Sequence, residues 1–375
     1  MCLPLPCGTC GEEITVICLN DEDGVDIDAP GTAPDVALAE TVTGRVLAVH
    51  GAKSLVEIEG RLCRCALSGR LKRVRRDAAL QQRSPGSWQR DTREVRGRWE
   101  RSRDAAPVSS PIAVGDTVIV SVGSDDQGLI LERLERTTWL GRVRPTKGPQ
   151  VIAANTEIVL IVMAVASPDP DFFLLDQFLV QAAAGKLEPW IIFNKMDLLP
   201  TTGTASSPLN EVGDYRNLGY PVYCTSTLTG AGISDLETAL RGRTAVLAGP
   251  SGVGKSHLLN CLIPNAEARI GEISEWSGRG QHTTTHVAMY PLPSGGYLVD
   301  APGIRRLSLW QVVPEDLPAH FPEFEAIAVN CGYHSCAHLN EKDCAVRLAA
   351  EADPVLWRRH KHYRQMRETA AGITR

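Results

Sequence analysis

The chain has 375 residues, 43% of them hydrophobic and 22% charged, with a net charge of -5. That is enough apolar material for two or three buried cores, and the composition excludes a chain disordered throughout. No apolar run reaches the roughly 18 to 20 residues of a membrane helix, and the start lacks a basic-then-apolar secretory leader.

Residues 1–40 hold nine Asp or Glu and no Lys or Arg. They read as an acidic flexible arm, and the absence of Arg argues against a transit peptide. The eleven Cys are odd in number and scattered, unlike a secreted disulfide scaffold. The Cys7-Gly-Thr-Cys10 pair reads as incidental.

From residue 41 the pattern alternates. Thr43–Val49, Ser54–Ile58 and Arg61–Cys65 read as half-buried strands, and Gly115–Val120 and Gly128–Glu132 add two more. Short strands with glycine turns predict a small β-barrel, an OB-fold, over residues 41–145. Residues 61–104 interrupt it with 14 Lys or Arg against five Asp or Glu, with Trp88 and Trp99 interleaved. Their second half, about 77–110, reads as an insertion. It is either a solvated charged loop or a phosphate-contacting surface for nucleic acid.

Beyond 146 the apolar runs Glu157–Met163, Pro189–Phe193, Ala245–Ala248 and Gly296–Val299 alternate with helix-like stretches. This predicts a doubly wound α/β domain over 146–315, with ligand loops at the carboxyl ends of its strands.

Those loops carry the chemistry. Gly249-Pro250-Ser251-Gly252-Val253-Gly254-Lys255-Ser256 follows a strand and precedes a helix beginning near His257. It is a P-loop, whose backbone N–H groups wrap phosphate oxygens; Lys255 reaches the β- and γ-phosphates and Ser256 ligates Mg2+. Asn194-Lys195-Met196-Asp197 chooses the base. The Asp197 carboxylate accepts from the ring N–H and exocyclic amine of guanine, Asn194 bonds the base edge, and the Lys195 stem covers the ring. The Ser226 loop suits the guanine carbonyl. Asp300-Ala301-Pro302-Gly303 ends a strand, so Asp300 holds Mg2+ through water and the Gly303 N–H bonds the γ-phosphate. In the polar loop 278–285, Thr284, with Thr283 the near alternative, is the expected Mg2+ and γ-phosphate ligand. Many GTPases carry a water-orienting Gln after D-x-x-G; here that position is Ile304. His282 is then the candidate catalytic group beside Lys255 and Thr284, although His282 can equally be a packing or RNA contact, with a group supplied by the partner instead.

The motif order is permuted, with the base-selecting loop at 194 ahead of the P-loop at 249. The segment C-terminal to residue 304 is thus placed to respond to the nucleotide. Cys331, Cys336, His338 and Cys344 supply three thiols and one imidazole in a short span, the donor set of one structural Zn2+. His334 is a possible substitute ligand. Residues 316–375 form the expected zinc-binding helical domain, in which Trp357–Arg364 is a basic segment, either a solvated face or an RNA patch.

Together these features resemble the RsgA family (also called YjeQ or EngC) over about 41–365. The resemblance rests on the motif order, the G-P-S-G-V-G-K-S and H-T-T-T strings, D-A-P-G-I and the Cys/His cluster. It implies a circularly permuted α/β P-loop GTPase flanked by an OB-fold and a zinc domain. It further implies GTP/GDP, Mg2+ and Zn2+ as ligands, and action in late maturation of the small (30S) ribosomal subunit; a monomer is expected, in the cytoplasm for want of a transit peptide, with an organelle of bacterial descent as the alternative. That subunit and its rRNA are the implied partners and stimulate hydrolysis. Gln177 stands where the family commonly has Arg, and Ile304 replaces a frequent Phe.

Overall fold

Seven consecutive apolar residues form β8 (Ile158–Ala164), and all seven are buried. A strand without polar alternation must be covered on both faces, and here the two faces are easily told apart. Val159, Ile161 and Met163 pack with Leu175 and Phe178 of α1 (Phe172–Ala184) and Val212 of α2 (Leu209–Asn217). Ile158, Leu160 and Val162 pack with Leu236 of α3 (Ile233–Ala239) and Leu258 of α4 (Lys255–Leu262).

The structure is a computed structural model that describes residues 41–51, 53–69, 71, 111–123, 126–144, 148–199, 209–264, 287–301 and 312–370. These all fall within one unit, residues 39–375. The acidic arm with Cys7 and Cys10, and the basic insertion about 77–110 with Trp88 and Trp99, lie outside the described residues.

Five parallel strands build the central sheet: β10 (Val222–Cys224), β9 (Glu188–Asn194), β8, β11 (Thr244–Ala248) and β13 (Tyr297–Asp300), in that spatial order. Beside β13 runs the antiparallel β12 (Ala288–Pro291). The sheet does not end there. Ala288 of β12 pairs with Ala48 of β1 (Thr41–His50), so it continues into a second body.

That body is a five-stranded barrel. β1 is followed by β2 (Lys53–Ile58), β3 (Arg61–Leu67), β5 (Gln127–Arg133) and β4 (Thr117–Val122), and β4 closes back on β1. Inward residues Val46, Val56, Cys63, Val118, Val120 and Ile130 form its core. The OB-type barrel expected from the alternation is present. Its fourth strand starts at Thr117 rather than Gly115 because Gly115 has φ +88° and bends tightly against the carbonyl of Ala154. A hairpin of β6 (Trp139–Arg144) and β7 (Gly148–Ala154) links barrel and α/β domain. The buried Asp116–Arg136 pair, at 2.6 Å, anchors that junction.

The C-terminal part is helical: α5 (Pro322–Ala328), α6 (Ala345–Ala352) and α7 (Pro354–Ala370). Phe321, Phe324, Cys344, Tyr363 and Met366 make its core, joined by Val180 of α1. Part of the basic stretch of α7 turns inward, while Trp357 and Lys361 stay exposed. Arg359 is buried against Asp176 of α1 at 2.5 Å and Glu323 of α5 at 2.5 Å. Arg358 reaches Asp214 at 3.0 Å and His362 reaches Asp176 at 2.6 Å. Three of its basic side chains therefore fasten the helix to the α/β domain. Among the described residues no helix is long and apolar enough to cross a membrane.

Candidate nucleotide site and metal centre

Three motif loops leave the carboxyl ends of strands in one parallel sheet, with β8 between the first and the second. Asn194 closes β9, Gly249 follows β11 and Asp300 closes β13. The parallel sheet places them along the same edge although the chain visits them out of the usual order.

Asn194 ties two of these loops to a third. Its side chain is fully buried, and Nδ2 donates to the Val253 carbonyl of the P-loop at 2.9 Å. The Thr225 hydroxyl donates to its Oδ1 at 3.2 Å. Gly254 has φ +98°, and a Cβ there would run into the Asn194 amide, so the P-loop glycine and the Asn are fitted to each other. Asn194 is thus a loop-tying residue as well as a candidate for the base edge. Thr225, which sequence reasoning left unassigned, is its partner.

The Ser226 hydroxyl donates to the Asp197 carboxylate, and Ser226 also accepts from the Thr229 N–H at 3.2 Å. Asp197 itself is exposed at the mouth of the site while Ser226 is buried beneath it. The two base-selecting positions, far apart in sequence, are therefore in direct contact. Lys195 sits at φ +64°, and its ammonium donates to the Ser167 carbonyl, which fixes the direction of its stem. Met196 follows it in the same loop, half-buried and packed against the core.

In the P-loop, Lys255 Nζ donates to the carbonyls of Gly249 at 2.9 Å and Pro250 at 2.6 Å. It lies across the loop mouth, the position from which phosphate oxygens would be met. Ser251, Gly252, Ser256 and His257 are exposed on the same rim, and Val253 is buried below. Asp300 is pushed up to about 6, mainly by burial and partly offset by Lys255. A carboxyl so desolvated is relieved by a nearby cation, which fits Mg2+. His282, Thr283, Thr284, Gly303 and Ile304 lie outside the described residues.

The second cluster is Cys331, Cys336, His338 and Cys344, whose ligand atoms all lie within 4.8 Å of one another. His338 Nδ1 is 3.7 Å from Cys331 Sγ and 3.4 Å from Cys344 Sγ. A tetrahedral zinc with ordinary bond lengths requires about 3.6 Å between nitrogen and sulfur, so the four donors fit that ion. Burial and the adjacent thiols push Cys336 up to about 12, a state that a divalent cation relieves by taking the thiolates. His338 is held at φ +56°, and its carbonyl lies 2.6 Å from Nε2 of His360. Cys344 also caps α6, accepting from the Arg347 N–H at 3.4 Å. His334 is not part of the cluster.

A family profile described as RsgA GTPase matches residues 133–310. A small ribosomal subunit biogenesis GTPase RsgA of Geobacillus thermodenitrificans is 41% identical over 250 residues, covering 67% of this chain and 82% of the relative. One from Gemmatimonas aurantiaca is 36% identical over 288 residues, covering 76% and 92%. Among solved structures, YjeQ from Thermotoga maritima superposes with a TM-score of 0.62 at 27% identity, covering 89% of this chain and 99% of that one. YloQ, described as a circularly permuted GTPase, gives 0.62 at 25% identity, covering 92% and 99%.

Proposed function

This chain belongs to the RsgA GTPase family and is a GTP-hydrolysing enzyme, and from that premise we propose that it acts in late maturation of the small ribosomal subunit, binding rRNA and being stimulated by the subunit. The observation that carries the nucleotide site is the contact of Asn194, Thr225 and Val253, which gathers the base-selecting loops onto the P-loop, and the ribosomal role is supported by relatives described as small ribosomal subunit biogenesis GTPases.

In this reading the chain divides into an acidic arm (1–40), a barrel (41–145), a permuted GTPase domain (146–315) and a zinc domain (316–375). Guanine lies against Asp197, with Lys195 over its face and the Ser226 loop at its carbonyl. The backbone from Gly249 to Ser256 wraps the phosphates, and Lys255 exchanges its loop carbonyls for phosphate oxygens. Ser256 and Thr284, with Thr283 as alternate, would hold Mg2+, and Asp300 would act on it through water. Bound Mg2+ neutralises charge on the β- and γ-phosphates. Gly303 reads the γ-phosphate. Since Ile304 cannot orient water, hydrolysis uses His282 or a group of the subunit, and turnover by the free protein is slow. The Cys331, Cys336, His338 and Cys344 set holds one Zn2+ in a purely structural role. The protein works as a monomer in the cytoplasm.

The test is GTP turnover with and without purified small ribosomal subunits, with Lys255→Ala as control. Strong stimulation that vanishes in the variant supports the reading. Turnover indifferent to subunits removes the ribosomal assignment and leaves the GTPase.

A further inference from the structure

Tyr297 opens β13, the strand that ends at Asp300. Its hydroxyl donates to Oε2 of Glu57 in barrel strand β2 at 2.6 Å. The guanidinium of Arg45, in barrel strand β1, lies over its ring at 4.8 Å. Arg45 and Glu57 face each other directly across the β1–β2 ladder. One tyrosine of the GTPase sheet is therefore gripped by a cross-strand charge pair of the barrel.

The strands involved matter. β12 begins just after residues 265–286, which contain the Thr283 and Thr284 positions, and β13 ends at Asp300. Each strand is only four residues long. A hairpin so short is marginal unless supported by its neighbours; β11 supports it on the β13 side, and among the described residues only the barrel is paired with the β12 side. On the far side from the central sheet, β12 meets the barrel through the single paired position Ala48–Ala288, and Ala288 is in turn directly opposite Asp300. Asp300, Ala288 and Ala48 thus form one row across three strands, and adjacent strands stand about 4.8 Å apart. Tyr290, Leu292 and Leu298 of the hairpin region share a core with Ala48 and Leu55 of the barrel. Tyr297 lies three residues from Asp300, about 10 Å along the strand. Pairing with β11 sets the register of β13 from the central-sheet side, and the charge-assisted hydrogen bond adds a hold on the far end of the same strand from the barrel side.

We propose that Tyr297 and Glu57 are positioning residues for GTP hydrolysis, through which the barrel braces the hairpin between the Thr loop and Asp300. The brace acts on the reacting geometry rather than on nucleotide affinity, because guanine and the α- and β-phosphates are held by loops of β9 and β11. The inference rests on the role given above to Asp300. It needs no ribosomal partner, since the free protein already holds these contacts.

The experiment measures single-turnover hydrolysis at saturating GTP and Mg2+, GDP affinity and melting temperature for the full chain and its variants. Tyr297→Phe and Glu57→Ala are each expected to slow hydrolysis about fivefold, a fraction of what a charge-assisted hydrogen bond is worth, with GDP affinity within about twofold of the parent. The double variant is expected to lose the same factor of about five rather than its square, because both changes remove one interaction. Glu57→Gln, which keeps an acceptor for the hydroxyl, is expected to stay near the parent. Single variants that hydrolyse like the parent overturn the proposal. So do losses that multiply in the double variant, and losses matched by an equal fall in GDP affinity. Asp300→Asn serves as a separate arm. Full activity in that variant removes the role assigned to Asp300, whereas an inactive Asp300→Asn beside an unaffected Tyr297→Phe removes only the brace.

Discussion

The guanidinium of Arg359 lies 2.5 Å from the carboxylate of Asp176, and both side chains are fully buried although 183 residues separate them. The pair is part of a larger cluster. Tyr215 donates to Asp176 at 2.7 Å, His362 meets its other oxygen at 2.6 Å, and Glu323 takes the remaining edge of Arg359. Breaking a buried pair on one side strands the other charge. Arg359→Ala is therefore expected to lower stability by about 3 to 5 kcal/mol, read by urea unfolding. A loss under about 1 kcal/mol, the range of exposed pairs, would show that water enters the cluster.

The same cluster sets an acid response. Burial alone would raise the Asp176 carboxyl, but Arg359, His362 and Tyr215 together hold it below its ordinary 3.8. A depressed carboxyl adds stability at pH values above 3.8, and that stability is lost as pH falls from there through the folded-state value. Asp176→Asn should flatten this part of the stability curve, which melts between about pH 5 and pH 2 will register.

Asp300 behaves with the opposite sign. Its carboxyl is raised from 3.8 to about 6, so ionising it in the folded, cation-free protein costs on the order of 3 kcal/mol. That penalty is absent below 3.8, grows as pH rises and is complete above about 6. Asp300→Asn is expected to melt higher than the parent at about pH 8 and about equally near pH 3.5, below the ordinary carboxyl value, while losing Mg2+-dependent hydrolysis. Equal melting at both pH values would contradict the desolvated carboxyl.

Asp197 can be tested by exchanging the base. A carboxylate accepts twice, whereas an amide accepts once and donates once. Asp197→Asn is expected to weaken GDP binding about 100-fold or more and to favour xanthosine diphosphate, whose edge offers one donor and one acceptor. Competition with a fluorescent nucleotide measures the ratio, and an unchanged preference for guanine would move the selecting group elsewhere.

For the Cys/His cluster, metal analysis should return one zinc per chain. Because Cys331, Cys336 and Cys344 belong to the same core as Phe324 and Tyr363, Cys344→Ser or a strong chelator should melt the C-terminal helices. Nucleotide binding should persist, since the P-loop strand and its neighbours have their own core. Folded protein free of metal after mild purification would refute the assignment.

Much of this was legible in the chain. A P-loop is contiguous because successive backbone N–H groups must wrap one phosphate chain, so Gly249–Ser256 declares itself. The same holds for Asn194–Asp197 and for the four metal donors, which all lie between Cys331 and Cys344. The barrel strands were legible as alternation, apart from the start of β4, where Gly115 leaves the ladder at φ +88°.

Partners brought together by topology were not legible. Nothing in the local sequence of Arg358, Arg359 or His362 distinguishes an outward basic face from one spent on Asp214 and Asp176. The same applies to Thr225 beneath Asn194, and to Tyr297 between Arg45 and Glu57, 240 residues from its hydrogen-bond acceptor. The amino-acid sequence by itself determined the chemistry, because nucleotide and metal ligands are held by short runs of fixed spacing. Only the tertiary structure decided how the barrel and the C-terminal helices are fastened to that chemistry. Their contacts join residues that the order of strands in the sheet, and not their place in the chain, makes neighbours.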